Sequence, residues 1–117
     1  MRVQRISAVT LRVSHMARAL GFYRDLLGLE VIYGGKDSPF SSLQMAGSDV
    51  IINLELGPGS HDWGRIILYV DDVDELWTYL RARGFDPPHP QDGGWGERYF
   101  HMRDPDDHEL SFAQRLK

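Results

Sequence analysis

The stretch LRVSHMARAL at residues 11–20 can be laid over the stretch LYVDDVDELW at residues 68–77, and this pair of segments decides the fold. Each segment begins with an alternation typical of a strand and continues with apolar residues at helical spacing. The match continues, with a single-residue gap, to Gly28 in the first copy and Gly84 in the second. An internal repeat of this kind predicts a chain built from two copies of one unit.

Each copy opens with a strand that leads into an amphipathic helix. Apolar residues alternate from Val9 to Val13 and again from Ile66 to Val70, so each set shares the strand face that a helix would cover. Apolar residues then recur at helical spacing from Met16 to Leu27 and from Val73 to Leu80. The spacing of the apolar residues changes from a period of two to a period of 3.6 residues at the same place in both copies.

Capping residues mark the ends of both predicted helices. Asp72, followed three residues later by Glu75, predicts a capping box, and Ser14 is the weaker counterpart in the first copy. Gly28 and Gly84 stand where a left-handed residue would end each helix.

Three strand candidates follow the first helix, and shorter ones follow the second. They are Leu29–Tyr33, Ser41–Met45, Val50–Leu56, a proline-rich piece at Phe85–His89, Arg98–Arg103 and Glu109–Ala113. The predicted fold class is therefore α+β, with two βαβββ modules at about 1–57 and 64–117 in a single domain, 1–117.

Composition excludes several classes of partner. The chain of 117 residues has a net charge of −4, which argues against a nucleic-acid backbone as partner. It has no cysteine, so it can form neither a disulfide nor a thiolate metal site. No apolar run is long enough to cross a membrane, and the first residues do not resemble a signal peptide. We expect no membrane partner and a cytoplasmic location.

Two motifs carry a resemblance to a known family. They are Phe22-Tyr23-Arg24-Asp25-Leu26-Leu27-Gly28 and the region from Trp95 to Leu110, which contains Arg103-Asp104-Pro105-Asp106-Asp107. The chain resembles, over essentially its whole length, the vicinal oxygen chelate superfamily of glyoxalases, bleomycin-resistance proteins and dihydroxybiphenyl dioxygenases. The resemblance implies curved sheets around a ligand trough. Turn chemistry predicts that Asp104–Asp107 is a hairpin turn and not a carboxylate cluster for metal.

The enzymes of this superfamily hold a metal ion on His, Glu or Gln side chains from four strands. Carried over by resemblance, those four places fall on Ala8, Glu55, Arg65 and Ser111. Glu55 alone is a metal ligand of the usual type, and a guanidinium repels a divalent cation. We therefore expect no metal or other cofactor, and we expect Arg65 to pair with Glu55 where the metal would have been.

Aromatic residues in polar or glycine-rich stretches are the candidate ligand contacts. Trp95 stands between Gly94 and Gly96, Trp63 precedes Gly64, and Phe40 follows Ser38-Pro39. Such rings suit stacking on a flat ligand. For Trp63 and Trp95 a place in a dimer interface remains an equal alternative.

Bleomycin-resistance proteins share the Trp95-Gly96 loop and a phenylalanine placed like Phe40. The resemblance implies a homodimer that sequesters a small aromatic ligand without metal, with Trp95 and Phe40 as the stacking pair. Further residues expected to line the site are Asn53, Glu55, Trp63, Arg65, Tyr69, Tyr99, His101 and Ser111. The alternative is a divergent lyase, isomerase or dioxygenase that uses Glu55, His101 or Arg65 in catalysis.

Overall fold

The structure is a computed structural model that describes residues 1–2, 4–59 and 62–116. The chain divides into two compact units, Met1–Ser60 and His61–Lys117. Within the described residues, neither unit has a helix long and apolar enough to cross a membrane.

The first unit is a four-stranded sheet with one helix. Its elements are β1 (Ala8–Val13), α1 (Met16–Leu20) with a π-helical continuation (Gly21–Leu26), β2 (Glu30–Tyr33), β3 (Phe40–Gln44) and β4 (Ile51–Leu56). The strand order is β1-β4-β3-β2. β1 runs parallel to β4, and the other neighbours are antiparallel.

The second unit repeats this plan. Its elements are β5 (Arg65–Tyr69), α2 (Val73–Ala82), β6 (Gln91–Asp92), β7 (Glu97–Arg103) and β8 (Glu109–Arg115). The order β5-β8-β7-β6, with β5 parallel to β8, corresponds to that of the first sheet. The prediction of two βαβββ modules in an α+β fold is confirmed.

Two predicted strand positions were wrong in detail. The proline-rich piece at 85–89 is not a strand, and β6 is the two residues Gln91–Asp92. Pro87, Pro88 and Pro90 cannot donate to a ladder, so pairing starts only after them. Phe40 was expected in a polar stretch just before the strand candidate Ser41–Met45, but it is the first residue of β3, where it lies opposite Glu55.

Side-chain alternation places one face of each sheet against its helix. Leu11, Val13, Ile52 and Leu54 are buried in the first unit, as expected. Leu56 was expected on the same buried face, yet it is 40% exposed, because it lies at the end of its strand. In the second unit the buried set is Val73, Leu80, Phe100, Leu110 and Phe112.

The predicted caps are confirmed except in one case. Asp72 caps α2, its Oδ1 accepting from the backbone N–H of Glu75 at 3.0 Å. Gly28 and Gly84 have φ of 82° and 90°, the left-handed geometry that a residue without Cβ adopts at low cost. The cap predicted at Ser14 is wrong: the helix starts from His15 without a side-chain cap.

The segment from Asp104 to Asp107 is a tight hairpin turn, as predicted. The Asp107 N–H donates to the Asp104 carbonyl at 2.9 Å, and Asp107 has φ of 71°. Asp104 Oδ1 accepts from the backbone N–H groups of Asp106 and His108, at 2.9 and 2.8 Å. The carboxylate of Asp104 therefore holds the turn.

We expect Asp72→Ala to lower the free energy of unfolding by about 1 kcal/mol, because an N-terminal N–H of α2 loses its acceptor. Chemical denaturation followed by circular dichroism measures the change. Asp71→Ala removes the same charge one residue earlier and is the matched control. Equal destabilisation by both substitutions would contradict the assigned cap.

Candidate ligand-binding site

The second sheet has one face against α2 and one face turned away from it. Arg98 points to the helix side, where its guanidinium donates to both carboxylate oxygens of Asp74 at 2.8 and 2.9 Å. The odd-numbered residues of β7 therefore lie on the opposite side. We call this opposite side the aromatic face; its residues are Arg65, Ile67, Tyr69, Glu97, Tyr99, His101, Arg103, Glu109, Ser111, Ala113 and Arg115, with Trp95 from the loop before β7.

Glu97 organises one end of the aromatic face. Its carboxylate accepts from the Trp95 indole at 2.8 Å and from the Tyr69 hydroxyl. The Tyr69 and Trp95 side chains are 58% and 64% exposed, so their rings are held in place without being buried. Arg115, opposite Glu97 on β8, lies 5.9 Å from the centre of the Tyr69 ring.

Three aromatic rings follow one another along β7. The Trp95 ring lies 5.1 Å from Tyr99, and the Tyr99 ring lies 5.1 Å from His101. The hydroxyl of Tyr99 also accepts from the Gln91 amide at 2.8 Å. A Cβ added to Gly93 would lie 2.6 Å from Cη2 of Trp95, so the indole packs directly over this glycine. The absent side chain at Gly93 is what allows the Trp95 ring to lie there.

His101 and Ser111 form a pair in the middle of the aromatic face. His101 Nδ1 lies 2.7 Å from Ser111 Oγ, and the two residues are directly opposite on β7 and β8. Ser111 is only 4% exposed because β8 is an inner strand with neighbours on both sides. A histidine beside a hydroxyl can donate or accept a hydrogen bond, depending on its tautomer.

Charged residues occupy the other end of the aromatic face. Arg65, Glu109 and Arg103 stand in one row across β5, β8 and β7. Arg65 Nε lies 3.4 Å from a carboxylate oxygen of Glu109, and an Arg103 terminal nitrogen donates to the backbone carbonyl of Asp107 at 2.7 Å. Two guanidinium groups therefore stand on either side of one carboxylate.

The first sheet also has a face turned away from its helix, and that face is mainly polar. The Ser42 hydroxyl donates to the Asn53 amide oxygen at 2.7 Å, and the Asn53 amide nitrogen donates to Thr10 at 3.3 Å. Phe40 lies on this face with its ring edge-to-face against Tyr33, at 6.5 Å between centres. Asn53 thus belongs to a hydrogen-bonded surface, and Phe40 and Tyr33 form an aromatic pair on the same surface.

The expected pairing of Arg65 with Glu55 is not needed to neutralise either group. Glu55 lies 2.7 Å from Nε of Arg12, its neighbour on the parallel strand β1. Arg65 has Glu109. Cross-strand neighbours in register supply both partners, and neither pairing was predicted from the sequence.

Trp63 lies away from the other candidate aromatic residues of the second unit. It precedes the start of β5, whereas Trp95 lies beside the end of that strand, so the two tryptophans are at opposite ends of the sheet. The Trp63 indole donates to His108 Nδ1 at 3.1 Å. Trp63 therefore supports the closing turn and does not extend the ring series.

The donor groups do not fit the metal site that the family resemblance suggests. Ala8 has no donor atom, Glu55 is engaged by Arg12, Arg65 is a cation, and Ser111 is engaged by His101. Throughout the described ranges, 1–2, 4–59 and 62–116, no three His, Cys, Asp or Glu side chains are grouped as a metal ion would require. Divalent ions need several oxygen or imidazole ligands converging on one point.

Six residues of the aromatic face were not among the predicted site residues: Ile67, Glu97, Arg103, Glu109, Ala113 and Arg115. Glu97 and Arg115 were also missing from the predicted strands. The strand predictions began at Arg98 and ended at Ala113, so both residues stood just outside them. Glu97 could have been predicted from the sequence, because it lies two residues before Tyr99 and four before His101 and so shares their strand face.

Hydrogen bonding keeps Glu97 ionised. Bonds from the Tyr69 hydroxyl and then from the Trp95 indole lower the pKa of the Glu97 carboxyl below its ordinary value of 4.5. The same Glu97 carboxylate raises the pKa of the Tyr69 hydroxyl, since the bonded proton is harder to remove. At neutral pH the face therefore contains a carboxylate that accepts from two aromatic side chains.

Comparison with known proteins gives one family and many similar structures. The model of the Glyoxalase/Bleomycin resistance protein/Dioxygenase superfamily matches residues 5–112. A superfamily member from Sphaerobacter thermophilus DSM 20745 is 26% identical, with a TM-score of 0.78, covering 95% of this chain and 97% of that chain. No curated protein sequence matches this chain.

Two further structures are similar in fold at 24% identity. TnmS3, an antibiotic binding protein from Streptomyces sp. CB03234, has a TM-score of 0.76, covering 98% of both chains. TioX from Micromonospora sp. ML1 has a TM-score of 0.75, covering 97% of this chain and all of that chain, 100%.

We expect Gly93→Ala to displace the Trp95 ring from Tyr99, because the new Cβ would overlap the indole. The indole N–H signal of Trp95 in a ¹H–¹⁵N spectrum, assigned with Trp95→Phe, reports the displacement. Gly94→Ala is the matched control, since a Cβ there meets nothing within 4 Å. An unchanged Trp95 signal in Gly93→Ala would show that the ring is not packed on this glycine.

The Trp95 indole signal should also depend on acidity. Folding lowers the pKa of the Glu97 carboxyl, so the hydrogen bonds of its carboxylate stabilise the folded protein fully above the ordinary pKa. This stabilisation is lost as the pH falls through the lowered pKa of the folded state. We expect the signal to stay constant between about pH 7 and pH 5 and to move at lower pH. Glu97→Gln should abolish this titration; a step centred above pH 4.5 would be inconsistent with the hydrogen-bonded carboxylate.

Proposed function

Because the chain belongs to the Glyoxalase/Bleomycin resistance protein/Dioxygenase superfamily, we propose that it binds a small planar organic molecule and sequesters it chemically unchanged. The ligand class is an aromatic natural product, including antibiotics. The binding site is the aromatic face, and no metal takes part.

The observation that carries this proposal is the ring series of exposed Trp95 and half-buried Tyr99, with exposed Tyr69 beside it. Single exposed apolar side chains are common on protein surfaces, but a contiguous group of them marks a site of ligand or protein binding. Here Glu97 and Gly93 fix the rings in place, which reduces the conformational entropy that a ligand must remove on binding. A fixed, exposed aromatic surface suits stacking on a flat ligand.

The chemistry of the two sheets supports binding without metal. The polar face of the first unit ends in an Arg12–Glu55 ion pair, and the aromatic face has arginines and hydrogen-bonded side chains. The arginines and hydrogen-bonding side chains of the aromatic face can recognise a ligand by hydrogen bonds and charge. The antibiotic-binding protein TnmS3 has the same fold, so this scaffold is compatible with binding of that kind.

Assembly and location are part of the same proposal. We place the protein in the cytoplasm as a homodimer of single-domain chains, each with modules at about 1–57 and 64–117. Exposed Ile67 and Tyr69 on the aromatic face offer apolar surface to a ligand or a second chain. Light scattering measured with and without ligand determines the assembly.

A second candidate function is a metal-free lyase or isomerase, and one contact favours it. His101 and Ser111 are 2.7 Å apart, a geometry in which an imidazole can accept a proton from a hydroxyl or return one. Mass spectrometry together with NMR of a ligand recovered after long incubation separates the two functions, since an isomerised product keeps the mass of the ligand but not its spectrum. Unchanged mass and structure fit sequestration, whereas conversion that is lost in His101→Ala establishes catalysis.

We expect Trp95→Ala to weaken binding of planar aromatic natural products by roughly tenfold, through lost stacking and lost apolar contact. Isothermal titration and quenching of tryptophan fluorescence measure the affinity. Trp63→Ala is the control: it removes an equally large indole at the opposite end of the sheet and should leave affinity within about twofold. Equal losses in the two variants would place the ligand elsewhere.

A further inference from the structure

The aromatic face has opposite chemical character at its two ends. Tyr69, Trp95 and Tyr99 occupy one end, and the row of Arg65, Glu109 and Arg103 occupies the other. Between them stands Ile67, 59% exposed, beside the His101–Ser111 pair. From Tyr69 to Arg65 is four residues, so the two ends lie about 13 Å apart along the strand.

The charge of this face differs in sign from that of the chain. Three arginines, Arg65, Arg103 and Arg115, face only two carboxylates, Glu97 and Glu109, although the whole chain has a net charge of −4. At the aromatic end Glu97 and Arg115 stand opposite each other, so these charges balance. The unbalanced positive charge therefore belongs to the row of Arg65, Glu109 and Arg103.

Space is available beside that row. Among the residues that the structure describes, β6 pairs with residues 98 and 99 of β7 and leaves the later part of β7 uncovered. A cleft of about 380 Å³ lies beside the β7 end of the row, lined by Arg103 and Glu109 but not by Arg65, with Pro87, Pro88 and His101 among its other lining residues. Asp86 also lines it, and the carboxylate of Asp86 is paired with Arg81.

From this arrangement we infer that the ligand is an aromatic acid, whose anionic group is held by Arg65 and Arg103 while its ring system stacks on Trp95 and Tyr99. The inference rests on the proposed function and adds the ligand's charge and its orientation. Arginine suits this role, since its planar guanidinium can present two N–H groups to one carboxylate. Arg65 Nε lies 3.4 Å from a carboxylate oxygen of Glu109, and the Arg65 side chain is 46% exposed, so a ligand can reach it.

The middle of the face sets the shape of the ligand. Ile67 contributes an apolar contact between the two ends, so a ligand with an apolar connection between ring and acid loses no hydrogen bond there. His101 and Ser111 lie beside this segment and can accommodate one polar substituent. The expected ligand is therefore a polycyclic ring with an acid on a short arm.

Two commercially available probes test the inference. 1-Pyrenebutyrate has a flat ring system and a carboxylate on a short arm; 1-pyrenebutanol has the same ring and arm with an uncharged end. We expect the wild-type protein to bind pyrenebutyrate roughly five- to tenfold more tightly at low salt, an advantage that shrinks as ionic strength rises. The double variant Arg65→Gln, Arg103→Gln should bind the two probes equally.

Matched variants separate the two arginines from general charge effects. Arg83→Gln removes a guanidinium from the end of α2, where it stacks on Tyr79 on the helix side of the sheet, and should keep the preference for the acid. Arg65→Gln and Arg103→Gln singly should each remove part of the preference. Circular dichroism of every variant checks that the fold is intact.

The outcomes separate failure of the inference from failure of the proposed function. If wild type binds both probes equally, ring binding stands and the acid inference is wrong. If the acid is preferred but the double variant keeps the preference, the assignment to Arg65 and Arg103 is wrong. If neither probe binds, the proposed function and the inference fail together.

Discussion

Helix cover on one side only of each sheet is the constraint on which the rest of the structure depends. In the second unit α2 buries Phe100, Leu110 and Phe112, and side-chain alternation then directs their neighbours to the opposite side. β8 lies between β5 and β7, so Ser111 and Ala113 are buried by neighbouring side chains even on that side. The outer strands present larger and more exposed side chains, Tyr69 among them. Strand order therefore makes the centre of this face a shallow floor, and the residues on the flanking strands make its walls aromatic and charged.

Two copies of one backbone plan have acquired different chemistry on their uncovered faces. In the first unit, Ser42 and Asn53 form a hydrogen-bonded series, and Arg12 pairs with Glu55. In the second, rings and arginines occupy the corresponding surface. Core positions in both copies must remain apolar to support a helix, whereas the uncovered positions are not restricted in this way. This freedom explains how one scaffold can serve metal chemistry in some members of a superfamily and ligand binding in others.

Glu97 connects fold and function in the second unit. Its position opposite Arg115 depends on the pairing of β7 with β8, and its carboxylate then orients both Trp95 and Tyr69. An exposed indole would otherwise sample several rotamers, at an entropic cost to any ligand that must fix one of them. Gly93 completes the arrangement, because a side chain there would occupy the volume of the ring.

The sequence by itself determined the two modules, the helix-facing residues, the turn at Asp104–Asp107 and the placement of Tyr69, Tyr99, His101 and Ser111 on one face. These features depend on local periodicity and turn chemistry, which a single sequence contains. Only the tertiary structure decided the ion-pair partners, Arg12 for Glu55 and Glu109 for Arg65, and the separation of Trp63 from Trp95. Strand register joins residues that are distant in the chain, and periodicity alone carries no information about which strands become neighbours.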